Sequence, residues 1–217
     1  YKDLVERYEI KNPEPVRYFI KRVMSNLTKP TSINRIYNEL KSQGVSIGKN
    51  TLYDVIVQTE SIYLFFSLTK YEPSVVKESS GDKKYYCIDN GLRSVLLNPL
   101  SEDNGKLLEN AVYLHLRRNL QIQEGLHYYK GKKECDFVIT NHEEVNQLIQ
   151  VTYTLHDEDT RQREIDGLLE AAQTTGCREL FILTLEEEEE INVSEYTIHV
   201  LPVWKWMLKI LYLSPKQ

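Results

Sequence analysis

Glu134-Cys135-Asp136-Phe137-Val138-Ile139 and, after a polar break at Asn141-His142-Glu143-Glu144, Leu148-Ile149-Gln150-Val151-Thr152-Tyr153 carry the reading of the fold. Each is an apolar run of strand length, and the segment between them has turn composition. The first run extends back through Tyr129-Lys130-Gly131-Lys132-Lys133, so His127–Ile139 reads as one strand. Residues i and i+2 of a strand share a face. Asp136 therefore faces with Glu134 and Val138, and Gln150 with Thr152. A hairpin brings Asp136 near Gln150. Aspartate is disfavoured inside strands, so Asp136 calls for a role in a site. Gln150 raises the same question, which a hydrogen bond within the sheet would answer, and Thr152 is simply a good strand former.

Helical periodicity flanks this pair. Asn104 to Arg118 places Leu107, Leu108, Ala111, Val112 and Leu116 on one face, with Glu109 at its edge. Glu158 to Thr175 does the same with Ile165, Leu168, Leu169 and Ala172. Strands follow at Leu180–Thr184 and Tyr196–Leu201, separated by the acidic run Glu186–Glu190, which reads as a solvated turn. Pro202 opens a last helix carrying Trp204 and Trp206 as core and rim packing. The order helix, strand, strand, helix, strand, strand, helix predicts an α/β domain with a mixed sheet over residues 98–217.

The first 97 residues predict a winged helix. Val16, Phe19, Ile20, Val23 and Leu27 form the stripe of one helix; Ser32 is placed to cap a second, over Ile33–Leu40; Gly44 suits its left-handed C-terminal position. A third helix begins after Gly48. Ile62–Leu68 and Tyr85–Asp89, around a polar tip at 78–84, would be the wing. In that geometry Lys49, Asn50 and Thr51 at the start of the third helix, with Lys83 and Lys84 on the wing, are the candidate nucleic-acid contacts. Docking to protein rather than DNA is the alternative. Gly44-Val45-Ser46-Ile47-Gly48-Lys49-Asn50 is no phosphate loop. It has three residues between its glycines, Asn50 where a hydroxyl must ligate magnesium, and no strand before it.

The 217 residues have 41% hydrophobic and 27% charged side chains, which excludes a disordered tail, a collagen and a coiled-coil rod. Residues 1–97 carry 15 Lys+Arg and 11 Asp+Glu, a net +4, which leaves −9 for the remainder of a chain at −5. That asymmetry suits two domains with different surfaces. Three scattered cysteines, Cys87, Cys135 and Cys177, fit neither a disulfide framework nor zinc. They predict buried thiols in a reducing, cytoplasmic setting. No stretch is long and apolar enough for a membrane span. The start, Tyr1-Lys2-Asp3-Leu4, lacks Met and a leader core, as expected of a piece of a longer protein. The five histidines show no paired metal spacing. Arg161 and Arg163 oppose the helix dipole at the start of their helix; they read as solvated or as paired with Glu164 or Glu158, a phosphate or carboxylate partner being the alternative.

The arrangement of Glu109, Asp136, Gln150 and Thr152 resembles the PD-(D/E)xK nuclease superfamily, which has the restriction-endonuclease-like fold. The whole chain is similar to the C-terminal region of a family of prokaryotic AAA-type ATPases, a winged helix followed by a nuclease-like domain. Lys49-Asn50-Thr51-Leu52-Tyr53, Gly105-Lys106-Leu107-Leu108-Glu109-Asn110, Tyr129 to Val138, Ile149 to Tyr153 and Pro202-Val203-Trp204-Lys205-Trp206 carry that likeness. It implies a partner, the upstream ATPase domain, as the seat of ATP binding. It also implies catalytic roles for Glu109, Asp136 and Gln150, with Mg²⁺ held by Glu109 and Asp136.

Two positions depart from the nuclease pattern. Gln150 removes one negative charge, and Thr152 stands where the family has lysine. Lys132 is four residues before Asp136, about 13 Å along an extended strand. Only a bend at Gly131 would bring Lys130 or Lys132 in, and Glu134 would add a carboxylate on the face of Asp136. Three functions follow: a nucleic-acid-associated module with a degenerate site used for binding or regulation, which the departures favour; an active Mg²⁺-dependent nuclease; and a protein-docking module.

Overall fold

The computed structural model describes residues 13–72, 81–97 and 103–213, with side chains as far as 208. The chain divides into two compact units. The first holds helices α1 (Pro13–Ser25), α2 (Ile33–Ser42) and α3 (Lys49–Ser61), a two-stranded antiparallel sheet of β1 (Phe65–Leu68) and β2 (Lys84–Cys87), and helix α4 (Asn90–Leu97). Its core is the stripe read from the sequence: Val16, Phe19, Ile20, Val23 and Leu27 pack with Ile33, Ile36, Leu40, Leu52, Val55 and Ile56. Burying such side chains is worth about 1.5–3 kcal/mol each before the entropy of ordering is set against it.

The C-terminal ends of α2 and α3 use the same closure. Gly44 follows α2 at φ +76°, its N–H donating to Lys41 and that of Val45 to Leu40. Tyr63 follows α3 at φ +60°, its N–H donating to Glu60 and that of Leu64 to Thr59. These are Schellman closures, which use the last free carbonyls of a helix. The second explains a departure from expectation. Ile62-Tyr63-Leu64 is apolar enough for a strand, but the carbonyls of α3 take its N–H groups, and β1 begins at Phe65. The wing-tip residues 78–80 lie outside the described residues. The segment Gly44–Asn50 is the exit of α2 and the entry to α3, with no strand before it among the described residues.

The second unit contains α5 (Asn104–Asn119), β3 (Glu124–Lys130), β4 (Glu134–Asn141), β5 (Glu144–Val151), α6 (Glu158–Thr175), β6 (Leu180–Thr184), β7 (Glu189–Val193), β8 (Tyr196–Pro202) and α7 (Val203–Leu213). Residues 69–72 also belong to it, so the division is not a single cut near residue 97: Tyr128 N–H donates to Thr69 O, and Tyr71 N–H to Tyr128 O. The six strands form a mixed sheet in the order β3-β4-β5-β6-β8-β7. Crossover helix α6 joins the parallel neighbours β5 and β6, and β3, β4 and β5 form an antiparallel meander.

The expected single strand His127–Ile139 is a hairpin, since the chain reverses at Gly131-Lys132-Lys133 and pairs Lys130 with Glu134. The end of the acidic run is likewise not a turn but the edge strand β7. Helix α6 packs its Ile165, Leu168, Ala171 and Ala172 on the face carrying Val138, Leu148, Leu180 and Ile182. Tyr113 of α5 stacks on Phe137, ring centroids 6.3 Å apart. All three cysteines are buried and free, and no helix among the described residues is long and apolar enough to cross a membrane.

Helix α6 approaches the first residue of β4 closely enough that a Cβ on Gly167 would lie 2.3 Å from the Glu134 carbonyl oxygen. Backbone oxygen cannot rotate away as a side chain can. Gly167→Ala is therefore expected to destabilise the protein by about 2 kcal/mol or more, beyond any helix-propensity gain. Urea unfolding measures it; an unchanged or raised midpoint would show that the helix is free to shift.

Candidate functional site

The β3–β4 turn is the first component of the site. Gly131 N–H donates to Lys133 O at 3.0 Å. The Glu170 carboxylate of α6 then takes the N–H of Lys132 at 2.7 Å on one oxygen and that of Lys133 at 3.0 Å on the other. The Tyr129 hydroxyl donates to the same carboxylate at 3.2 Å. A Cβ at Gly131 would lie 2.1 Å from Glu170 Oε1 and 2.5 Å from the Tyr129 hydroxyl, so a side chain there would displace these two flexible groups from the turn. This is the bend that brings the lysines back over the sheet.

The floor is the end of β4 and β5. Phe137 pairs with Ile149, which sets Asp136 opposite Gln150 on the face toward α6. Both ends of the Gln150 amide are engaged: its Oε1 accepts the Asp136 N–H at 3.1 Å, and its Nε2 donates to Glu164 of α6. Asp136 Oδ2 accepts the Val151 N–H at 3.0 Å. The Thr152 hydroxyl donates to Thr154 O at 3.2 Å. Glu164, absent from the sequence-based site, completes the floor. Burial and the neighbouring Asp136 charge push its carboxyl above the usual range, against the pull of Arg163 and Gln150. Its position in the helical repeat beside buried Ile165 was the available signal, but Glu at a helix edge is usually solvated.

Glu109, Asp136 and Gln150 line one open cleft of about 450 Å³ with Glu134, Glu164, Lys130, Lys132, Lys133, Val151 and Arg163. The three site residues expected of the second unit are thus brought together. Mg²⁺ takes one or two carboxylates and completes its octahedral shell with water, and several candidate oxygens of this cleft are engaged within the protein. Gln150 turns its carbonyl onto a backbone amide, Glu164 is shared between Gln150 and Arg163, and one Asp136 oxygen is used by Val151. Among the described residues no three His, Cys, Asp or Glu side chains are grouped to hold a metal ion.

The first unit arranges its expected contacts differently. Lys49, Asn50 and Thr51 are exposed at the start of α3, after Gly48 as N-cap, and Lys49 Nζ sits 6.0 Å from the centre of the Tyr53 ring. Lys83 is half-buried and bridges to Thr31 through its carbonyl. Lys84 corrects the expectation of a wing-surface cation. All four residues of β2 are buried and Lys84 is 0% exposed, so its ammonium is not offered to a phosphate.

The acidic run is also corrected, since it is not a bare repulsive surface. Glu188 pairs with Lys205, Glu189 with Arg161 at 2.6 Å, and Glu190 with His199 at 3.3 Å where that imidazole is protonated. Arg163 pairs with Glu164 at 2.7 Å, as the sequence suggested. Glu187 accepts the Leu155 N–H at 2.9 Å and the Thr154 hydroxyl, pinning the loop that leaves β5. Burial pushes the Glu187 carboxyl up, but these hydrogen bonds outweigh it and hold it down at about 2.

Residues 104–206 match the model of a domain of unknown function, DUF4143. The chain is 33% identical over 216 residues to an uncharacterized protein of Methanocaldococcus jannaschii, covering 96% of this chain and 47% of that protein. It is 24% identical over 208 residues to an uncharacterized protein of Haemophilus influenzae, covering 95% and 49%. The chain thus spans about half the length of the curated relatives it matches. Among solved structures, a chain in a half-complex from the tetradecameric assembly of Thermococcus gammatolerans McrB AAA+ hexamers with bound McrC aligns over 88% of this chain and 47% of its own length. That alignment has 14% identity and a TM-score of 0.34.

An acid whose pKa is lowered by folding stabilises the fold above its unfolded pKa and loses that contribution as pH falls through the folded value. For Glu187 the window runs from the ordinary 4.5 down to about 2. Unfolding free energy is expected to drop across that window, and Glu187→Gln to flatten the drop. Parallel pH curves for native and variant would show that the Thr154–Leu155 clamp contributes nothing.

Proposed function

We propose that this chain is the C-terminal module of an AAA-type ATPase, associated with nucleic acid, and that its nuclease-like cleft binds or regulates rather than hydrolyses. The DUF4143 match over 104–206 supports the ATPase association, as does the resemblance of the ordered segments from Lys49 to Trp206. Both curated relatives are about twice as long as the chain, enough for a further domain of motor size. ATP chemistry belongs to that domain.

One observation carries the binding reading. Glu109, Asp136 and Gln150 line one cleft, yet the Asp136 and Gln150 groups are bonded to the protein itself. A hydrolytic site needs lone pairs aimed at a metal and a lysine beside the attacking water. Here the Gln150 amide spans Asp136 N–H and Glu164, and the Thr152 hydroxyl is turned to Thr154. What stays at the mouth is a lysine-bearing turn, suited to holding a strand by its phosphates. The retained pair Glu109 and Asp136 keeps the hydrolytic reading as the alternative, and it fixes the experiment.

Native chain and Asp136→Ala should be titrated by calorimetry with Mg²⁺ and Mn²⁺, in parallel with anisotropy and cleavage assays on labelled single-stranded and duplex DNA and RNA. The expected result is salt-dependent oligonucleotide binding, no cleavage, and no saturable metal heat in either protein. Saturable metal binding that disappears in Asp136→Ala, together with cleavage, would establish a nuclease instead. No binding of any oligonucleotide would leave the docking function.

A further inference from the structure

Four cations line the cleft, and three are already matched by carboxylates of the chain. Lys130 Nζ is 3.0 Å from Glu134, Lys133 Nζ is 3.4 Å from Asp166, and Arg163 is 2.7 Å from Glu164. Lys132 differs: among the described residues its exposed ammonium has no carboxylate within ion-pair distance, while its backbone is held firmly by Glu170 at 2.7 Å. An uncommitted charge is thus carried on a turn whose backbone is held by Glu170. Tyr129 and Thr174 tie the same carboxylate arrangement to α6, with the Tyr129 hydroxyl 3.1 Å from that of Thr174.

The surroundings restrict what this charge can meet. The two turn amides that would cradle an anion are already filled by Glu170. The floor carries Glu109, Asp136 and Glu164, which would repel a second negative charge seated deeper. The ligand that fits is singly charged, approaches along the mouth, and needs one ammonium rather than a nest. A phosphodiester oxygen of a strand has those properties; a phosphomonoester or a carboxylate cluster does not.

We propose that Lys132 is the ligand-facing cation of the cleft, that Glu170 is its positioning residue, and that the ligand is one phosphodiester group of a nucleic-acid backbone. This rests on the binding reading above. It places the cationic function of the site on the hairpin turn, away from the position held by Thr152.

The test measures binding of a fluorescein-labelled oligonucleotide, single-stranded and duplex, over a salt series by the 217-residue chain and by Lys132→Ala, Lys130→Ala, Lys133→Ala, Glu170→Ala and Glu170→Gln. Lys132→Ala is expected to weaken binding about threefold to tenfold, and to reduce the log–log salt slope by about 0.7 for the single strand or 0.9 for the duplex. Lys130→Ala and Lys133→Ala should change affinity less than twofold, because each removes a charge already neutralised within the chain. Glu170→Ala should weaken binding with the salt slope unchanged and should speed amide exchange at Lys132 and Lys133. Glu170→Gln, which keeps an acceptor, should lie between it and native. Lys132→Ala behaving like native while the native chain binds would overturn the assignment and leave the cleft reading standing. A loss in Lys132→Ala without any change of slope would overturn it as well, because the residue would then act only structurally. No binding by the native chain would overturn both.

Discussion

Helix α6 and the first residue of β4 come so close that only a hydrogen atom fits between them at Gly167. That approach sets everything in the cleft. Moving along α6, Arg163 and Glu164 reach the floor, Asp166 meets Lys133, and Glu170 closes on the β3–β4 turn. A helix one side chain farther from the sheet would lose all of these together. Two glycines in contact with side chains or backbone of the opposite element, Gly131 and Gly167, are therefore part of the site although neither carries a functional group.

The electrostatics of the cleft follow from this packing. Burying carboxylates is costly unless they are paired or hydrogen-bonded. The chain meets that cost with its own groups: Val151 N–H for Asp136, Gln150 and Arg163 for Glu164. The compensation is incomplete at Glu164, whose carboxyl remains pushed up by burial and by Asp136. An amide at position 150 does for this network what a carboxylate could not. It donates to Glu164 and accepts from Asp136 N–H at once, where a third negative charge would add repulsion. The amide at position 150 is thus coherent with its neighbours.

Much of this was legible in the residues. The stripe of α1, the Ser32 cap of α2, with its hydroxyl accepting from Arg35 N–H, and the left-handed Gly44 follow from local rules of spacing and backbone conformation. The meeting of Asp136 with Gln150 followed from period-two alternation and the β4–β5 hairpin, with Glu109 placed beside them by the resemblance. Local rules did not reveal the hairpin before it, β3–β4. Lys130 to Lys133 look like an interrupted strand, because the group that makes them a turn, Glu170, is about forty residues away in sequence. Glu164 was missed for the same reason: its partners Gln150 and Asp136 are tertiary neighbours. Lys84 misled because a strand of four residues buried on both faces cannot be told from a wing edge when its covering is remote. The acidic run read as a solvated surface because its partners, Arg161, Lys205 and His199, lie on three other elements.

On the proposed function, the hairpin turn and the strand floor beneath it, within the second unit, form the surface that meets nucleic acid. Amide hydrogen–deuterium exchange of the chain with and without a saturating oligonucleotide reads this out. Added protection over residues 130–136 and 150–153, with residues 49–53 unchanged, is the predicted result. Protection confined to residues 49–53 would contradict it and move recognition to the first helix-rich unit.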